Sequence, residues 1–451
     1  MTTKFKIVNL AAALMLSASF VKGQGSTQSA DFSLQAAIDY AIKHNATYLN
    51  SELDVKMAKY KTKEVLGMGL PQVNASVDLK DYFEIPTSLI PGQFFGGPPG
   101  TFIPVKFGTQ YNATAGGSVS QLIFSSDYIV GVKASKELRI LSEKSLTRTK
   151  IETVTAVSKA YYTALINEDR LKTLDANIER LKKLFDDTKA LNQSGFVEKI
   201  DVDRIELTYN NLVTEREKVG RLVGISETLL KFQMGYDIKQ PINLTDKLNA
   251  EQLADLDLMQ ESKTNYEART EYSLLQSQLK LNSIELKRYK YQFLPSLVAY
   301  ASYNQQAQRT QFDFLENGQK WFPIGIVGAT LSLPIMTGGQ RYFKIQQAKV
   351  NVQKTNNSIN QVKSMIDMEI SNYSIIYKNA YTTLLTQKKN RELAQSIFDT
   401  AKKKYESGVG SNLEVVTAQT SLTEAETNYL GAIYDLVIAK MDLDKALGNI
   451  K

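Results

Sequence analysis

Two stretches of the 451-residue chain are much longer than the helices of an ordinary globular domain. Residues 128–193 and 340–406 contain no proline and no run of turn-forming residues. Each predicts a helix of about 66 residues, which at about 1.5 Å per residue is close to 100 Å long. In the first, residues such as Ala160, Ala164 and Leu174 recur at spacings of three and four, which predicts a coiled-coil seam. A hairpin of this length cannot bury its seam alone, so we expect it to assemble side by side with neighbours.

The two long stretches belong to two diverged copies of one unit. Residues 69–73 (Gly-Leu-Pro-Gln-Val) match residues 293–297 (Phe-Leu-Pro-Ser-Leu). Farther along, residues 194–202 match residues 407–415, and the spacing from there to the glycine that ends each copy is the same, so this arm has kept its length. Several matches in the same order indicate an internal two-fold repeat whose geometry matters.

Each copy reads as helix, strand, loop, strand, long helix, turn and shorter helix. The first helix, about 33–67, begins at Ser33, a suitable N-cap, and is predicted to be continuous. Each long helix turns at Ser-Gly and returns as a shorter helix, over 199–234 or 412–447. We expect Gly195 and Gly408 to take the left-handed conformation that closes a helix C-terminus.

Four segments predict strands, because apolar and polar residues alternate along them. On the first, Val73, Val77 and Leu79 share one face and charged or amide residues the other. A half-buried soluble strand and a strand between lipid and water both fit this pattern. Four strands per chain are too few to close a barrel, which needs about eight. Several chains that pool strands into one barrel and helices into another would resolve both shortages. The predicted strands cover about 71–82, 109–123, 295–305 and 325–336.

The loops between paired strands are rich in aromatic residues. Phe94 and Phe95 lie in the first loop, and Phe312, Phe314 and Trp321 in the second. Aromatics at strand ends favour a girdle at a membrane interface. They could equally pack a loop onto its own domain.

The N-terminus predicts a secretory signal peptide over residues 1–23, with two lysines ahead of an apolar run too short to span a membrane. Without those residues the formal charge falls from +7 to about +4, a mild and interleaved charge that does not indicate nucleic-acid binding. The chain has no cysteine and one histidine. The predicted division is a first repeat over 24–235, a linker or equatorial segment over 236–267 and a second repeat over 268–451.

Catalysis finds no support in the residue pattern. The sequence contains no Ser/His/Asp set, no phosphate-binding loop and no metal-ligand cluster, and its paired glycines fall at strand ends. We therefore predict a protein that is not an enzyme and that uses neither cofactor nor metal. Two functions remain: an export duct, and an exported soluble coiled-coil protein with a structural or adhesive role. Continuous apolar positions on one face of all four strands would favour the duct.

The segment 407–418, Ser-Gly-Val-Gly-Ser-Asn-Leu-Glu-Val-Val-Thr-Ala, and the helix that follows it resemble the TolC family of outer membrane efflux and secretion channels. The duplicated Leu-Pro junctions support the resemblance, which spans nearly the whole chain after residue 23. It implies a mainly α protein with a membrane β-barrel. A homotrimer would combine a 12-stranded β-barrel, four strands per chain, with a coiled α-barrel of 12 helices that crosses the periplasm.

The resemblance also implies a function. Such a protein is the exit duct of a tripartite efflux pump or a type I secretion system, set in the lipid of the outer membrane of a Gram-negative-type envelope. Its tunnel carries substrates passively. The periplasmic end opens when a periplasmic adaptor (membrane fusion) protein and an inner membrane pump engage it.

Three residues are implied for the periplasmic gate. Glu414 corresponds to an acid of a constriction ring, Thr417 stands where a second acid would lie, and Asp201 matches an acid of the first hairpin. The basic residue that latches the hairpins in the family maps to Gly410 here, so the latch predicted for Asp201 lacks that partner. The helix dipole alone would also favour Glu414 and Asp201 near helix N-termini.

The two hairpin turns are candidates for contact with the adaptor, because exposed apolar residues at a helical turn need a reason. Packing within the hairpin pair is the alternative. The residues concerned are Gly195, Phe196, Val197, Gly408, Val409 and Gly410.

Overall fold

The computed structural model describes residues 30–248 and 264–450. The predicted signal peptide lies outside the described residues, as does part of the predicted linker. The helices are α1 (Leu34–His44), α2 (Ala46–Gly67), α3 (Ser126–Gln193), α4 (Lys199–Met234), α5 (Thr270–Tyr291), α6 (Gln340–Glu406) and α7 (Asn412–Leu447). The strands are β1 (Ala30–Phe32), β2 (Gln72–Asp81), β3 (Thr87–Pro91), β4 (Phe102–Lys106), β5 (Tyr111–Phe124), β6 (Ile242–Leu244), β7 (Ser296–Arg309) and β8 (Phe322–Ser332).

The two long helices are continuous, as predicted. Helix α3 has 68 residues and α6 has 67, so each is about 100 Å long. The turn glycines Gly195 and Gly408 have φ of +79° and +75°, the left-handed conformation expected at a helix end. The returning helices α4 and α7 begin and end at the predicted residues. Helix bounds could therefore be read from proline spacing and from the two Ser-Gly turns.

The prediction of one continuous helix over 33–67 is wrong. Ser33 caps α1 as expected, because its hydroxyl accepts from the Ala36 N–H at 3.2 Å, but the helix ends at His44 and a new one begins at Ala46. Asn45 causes the break with an extended backbone. Its Oδ1 accepts from the N–H of Thr47 at 2.9 Å, so the residue acts as an N-cap.

The two repeats meet in one antiparallel sheet of four strands. The strand order is β2-β5-β7-β8, so a hairpin from each repeat supplies two strands and β5 pairs with β7 across the boundary. All four predicted strands are present, with ends shifted by a few residues. The register places Val73 opposite Val119 and Ala301 opposite Val327, so the apolar positions share one face. The outer edges of β2 and β8 have no partner strand among the described residues.

Two small sheets were not predicted. Strands β3 and β4 form a hairpin within the loop between β2 and β5. Strand β1 pairs in parallel with β6, 212 residues later in the case of Ala30 and Ile242. Both escape periodicity analysis, because a strand of three to five residues is too short to show a period.

The helices lie side by side in two tiers that share α3 and α6. Next to the sheet the order is α2-α3-α5-α6, and at the far end it is α4-α3-α7-α6. Helices α2 and α4 therefore form one edge of the helical layer, and α6 forms the other. Among the described helices none combines the length and apolar character of a transmembrane helix.

Three apolar clusters hold the helices together along their length. The first lies where the tiers meet and joins α1, α3 and α4 around Tyr161, which is fully buried. The second packs α6 and α7 against α3 around Tyr377, and the third holds the turn-proximal part of the second hairpin around Phe398. The seam residues Ala160, Ala164 and Leu174 are buried, as predicted.

A fourth cluster lies at the end of the sheet distant from the helices. Phe314, which is 8% exposed, covers Ala113 and Ala307 and contacts Trp321 with ring centroids 6.1 Å apart. Phe312 and Phe314 pack edge to face at 5.6 Å. For these residues the loop packs onto its own domain, whereas Phe94 and Phe95 of the first loop are exposed.

A Tyr161→Phe substitution is expected to lower the free energy of unfolding by about 1 kcal/mol, the usual net value of one hydrogen bond. The hydroxyl donates to the Phe32 carbonyl at 3.0 Å and accepts from the Asp246 N–H at 3.4 Å, which ties α3 to β1 and to the segment after β6. Burial raises the pKa of Tyr161 well above its ordinary value, so the hydroxyl stays protonated at every practical pH.

Thermal unfolding followed by circular dichroism measures the loss in Tyr161→Phe. The matched control is Tyr162→Phe, because the hydroxyl of Tyr162 makes no hydrogen bond within the described residues. Equal midpoints for the two variants would contradict the structural role of the Tyr161 hydroxyl.

Candidate functional site

The end of the second hairpin carries two of the predicted gate residues. Glu414 lies in the first turn of α7, where its N–H donates to the Oγ of the N-cap Ser411 at 3.2 Å. Its carboxylate is exposed and one turn before Thr417, which is exposed too. The helix N-terminus stabilises an acid at this position. Glu414 and Thr417 are therefore on one solvent-facing stripe of α7.

Both residues line an open groove of about 580 Å³ between α6 and α7. At its turn-proximal end the groove is bounded by Lys404 of α6 and by Glu414. Hydroxyl side chains supply most of its remaining polar surface, and Ile397 and Leu413 contribute apolar walls. The hydroxyl residues are Ser396, Thr400, Thr417 and Ser421.

Asp201, the third predicted gate residue, lies in the first hairpin. It is half-buried, and its carboxylate is 3.5 Å from the guanidinium of Arg204, one turn along α4. Gly410, to which the family's latching base maps, is packed against the last turn of α6. A Cβ at this position would lie 2.9 Å from the Cβ of Lys404. The structure therefore brings Glu414 and Thr417 together and pairs Asp201 within its own helix.

The predicted tip residues differ in exposure. Phe196 is 79% exposed and Val409 is 82% exposed, so the apolar side chains at both turns face solvent. Packing within the hairpin pair, the alternative reading, does not account for these two side chains. Val197 and Gly410 are half-buried.

Hydrogen bonds connect the two hairpins above their tips. The Thr188 and Tyr405 hydroxyls lie 3.3 Å apart, between α3 and α6. Farther from the tips, Asn177 is fully buried: its amide nitrogen donates to the Glu426 carboxylate at 2.6 Å, and its oxygen accepts from Gln419 at 3.1 Å. This polar cluster joins α3 to α7.

Sequence reasoning missed the residues that join the hairpins. Asn177 lies within the predicted seam of α3, where a buried polar residue among apolar neighbours signals a paired site. Its partners on α7 lie more than 240 positions away in the chain. The polar residue could have been noticed, but its partners could not have been identified without the fold. Within the described residues no three His, Asp or Glu side chains are grouped as a metal site requires.

An open four-stranded sheet, two full-length helices and two returning hairpins define the protomer of a helical-barrel channel. Comparisons with known proteins agree with this class. Residues 283–449 match the family model described as "Outer membrane efflux protein".

Curated relatives extend the match beyond that segment. The chain is 23% identical over 352 residues to the toluene efflux pump outer membrane protein TtgC of Pseudomonas putida, and the alignment covers 76% of this chain and 69% of the relative. It is 25% identical over 316 residues to the outer membrane protein TolC of Escherichia coli, where the alignment covers 64% of this chain and 60% of the relative.

Solved structures share the fold. VceC from Vibrio cholerae superposes with a TM-score of 0.69 at 14% identity, over 92% of this chain and 96% of that one. The CmeC outer membrane channel of Campylobacter jejuni gives a TM-score of 0.70 at 16% identity, over 92% and 85% of the two chains. The chain is a TolC-like protein of the outer membrane efflux protein family.

Proposed function

We propose that three copies of this chain form the exit duct of a tripartite efflux pump or type I secretion system in the outer membrane of a Gram-negative-type envelope. Substrates pass through the duct passively, and an inner membrane pump supplies the energy. The helical layer crosses the periplasm, and the hairpin ends form the gate, with Glu414, Thr417 and Asp201 at its constriction.

The observation that carries this proposal is the open sheet. Its edge strands β2 and β8 each leave one side without a strand partner among the described residues, which in an isolated protein promotes aggregation. Its aliphatic face is bare: Val73, Val77 and Val327 are 74%, 83% and 87% exposed. Three copies would pair every edge, give 12 strands, and turn this face to lipid. A soluble coiled-coil protein would leave both the edges and the face uncovered.

The helical layer supports the same assembly. Its two edges expose large apolar side chains that a single copy cannot bury. On the edge formed by α2 and α4, Met57, Tyr60, Ile225 and Phe232 are 64–67% exposed. On the opposite edge, formed by α6, Met368, Ile375 and Leu393 are 56–58% exposed. Packing one edge against the other around a ring would bury both sets.

The partners follow from the class of machine. The curated relatives TtgC and ArpC are named as outer membrane proteins of efflux pumps. For this chain we propose a periplasmic adaptor protein and an inner membrane pump. The adaptor would contact the exposed turns that carry Gly195, Phe196 and Val197 and Gly408, Val409 and Gly410. The exposure of Phe196 and Val409 supports such a contact.

The test is to extract the protein from isolated outer membranes in mild detergent and to measure the mass of the complex and its conductance in a planar bilayer. A membrane-extracted trimer that conducts supports the duct. A water-soluble monomer or dimer without conductance overturns it.

Glu414→Gln is expected to shift ion selectivity toward anions, because it removes one negative charge per copy from the constriction. A unit charge about 6 Å from a passing ion changes the energy of that ion by about 0.7 kcal/mol in water, a factor of about three in permeability. The reversal potential under a salt gradient measures the shift. The matched control is Glu406→Gln, an acid of the same hairpin that lines the groove toward α3. An equal shift in both variants would remove Glu414 from the constriction.

A further inference from the structure

The two hairpin ends of the chain balance their charges in different ways. In the first hairpin, Asp201 has its base on the same helix, since Arg204 lies one turn away with an N–O distance of 3.5 Å. The repeat aligns Asp201 with Glu414 and Arg204 with Thr417. The second hairpin has therefore kept the acid and lost the base at the matching position.

A different base lies beside Glu414. Lys404, in the last turn of α6, bounds the same groove as Glu414 across the hairpin turn. The repeat aligns Lys404 with Leu191 of the first hairpin. The first hairpin thus carries its positive charge on the returning helix, and the second carries it on the long helix.

The backbone of the turn fixes where Lys404 lies. Its carbonyl accepts from the N–H of Val409 and from that of Gly410, both at 3.0 Å. Gly410 packs so closely on this turn that a Cβ there would be 2.9 Å from the Lys404 Cβ and 3.0 Å from the Tyr405 nitrogen. The space that a side chain at position 410 would need is taken by Lys404, which explains why a bulky basic residue does not fit there.

We propose that Lys404 is the counter-charge of Glu414 and thereby a selectivity-determining residue of the duct; this inference rests on the proposed function. Both side chains are exposed, and neither forms an ion pair within the described residues, so both charges act on the groove and on any ion that passes it. In a ring of three copies, three ammonium groups offset three carboxylates. The constriction then has almost no net charge, and the wild-type duct discriminates weakly between cations and anions.

The test measures the reversal potential of the assembled, membrane-extracted protein in planar bilayers under a KCl gradient. Lys404→Gln is expected to raise the ratio of cation to anion permeability about threefold or more, since it leaves the carboxylates uncompensated. The double variant Lys404→Gln with Glu414→Gln is expected to return to the wild-type ratio. Both side chains are exposed, so we expect the variants to fold.

Lys402→Gln is the matched control. Lys402 lies two residues away on the same helical turn, but it pairs with Glu406 at 3.8 Å and lines the groove toward α3. Its replacement is expected to leave the reversal potential unchanged.

Each other outcome overturns a defined claim. If the wild-type trimer conducts and Lys404→Gln behaves like Lys402→Gln, the duct stands and the role of Lys404 is wrong. If the wild-type protein already prefers cations strongly, Lys404 does not compensate Glu414. If the wild-type protein forms no conducting oligomer, the proposed function fails and takes this inference with it.

Discussion

Alanine in place of Gly116 is expected to prevent the sheet from forming. Gly116 lies in the middle of β5, opposite Asn304 of β7, at the one junction where the two repeats pair their strands. A Cβ here would overlap the Tyr303 carbonyl oxygen and lie 2.6 Å from the Asn304 Cα. These are backbone atoms of a paired strand that cannot turn aside, so the cost is about 3 kcal/mol or more. We expect little folded protein in the outer membrane.

The adjacent glycine supplies the control for Gly116→Ala. The nearest atom to a Cβ at Gly117 is the Asn74 carbonyl oxygen at 3.5 Å, an ordinary contact. Gly117→Ala should accumulate in membranes at close to the wild-type level, as measured by immunoblot of membrane fractions and by the mass of the extracted complex. If both variants accumulate equally, the close approach of β5 and β7 is not a feature of the folded protein.

Arg269→Ala is expected to lower the free energy of unfolding by about 3 kcal/mol. The side chain is 5% exposed and connects three helices at the base of the second repeat. Its guanidinium donates to Glu369 of α6 at 2.8 Å, to Glu271 of α5 at 3.2 Å and to the Ala446 carbonyl of α7 at 2.9 Å. Removing it leaves two carboxylates without their cation and a carbonyl without its donor, and such losses are costly away from water.

A surface arginine provides the comparison for Arg269. Arg288 is half-exposed and makes one ion pair, to Asp127 at 3.3 Å, which solvent largely screens. Arg288→Ala should change the free energy of unfolding by less than about 1 kcal/mol. Urea unfolding of the detergent-solubilised protein measures both variants. A loss at Arg288 as large as that at Arg269 would show that general charge balance, and not the buried contacts, accounts for the effect.

The sequence predicts this fold well where local signals decide the structure. Proline spacing and the Ser-Gly turns predict α3, α4, α6 and α7 almost to the residue, and alternation predicts the four strands of the main sheet. The family resemblance then predicts which residues belong to the hairpin ends. Each of these signals lies within a few residues of the feature that it predicts.

What could not be predicted depends on contacts between distant parts of the chain. Asn45 breaks the first helix without a proline, and its side chain donates to the Gln233 carbonyl, 188 positions away. The proximity of Lys404 to Glu414 depends on how closely Gly410 packs on α6. Neither contact leaves a periodic trace in the sequence, because each involves single residues.

The Asn45 contact has a counterpart in the second repeat. The repeat aligns Asn45 with Arg269 and Gln233 with Ala446. In each case the residue that precedes a tier-one helix donates from its side chain to a carbonyl two residues before the glycine that ends the returning helix, at 2.8 Å and 2.9 Å. One joint has therefore been kept by an amide in the first copy and by a guanidinium in the second.

The duplicated hairpin has a consequence for anything that grips the assembled duct. Three chains present six hairpin ends of nearly equal shape, so the rim is six-fold in outline. Its chemistry alternates, with Phe196 and the Asp201–Arg204 pair on one end and Val409 with Glu414 and Lys404 on the next. A ring of six identical partner subunits would then meet two kinds of contact in turn. Such a ring must tolerate both, or half of its subunits would bind more weakly than their neighbours.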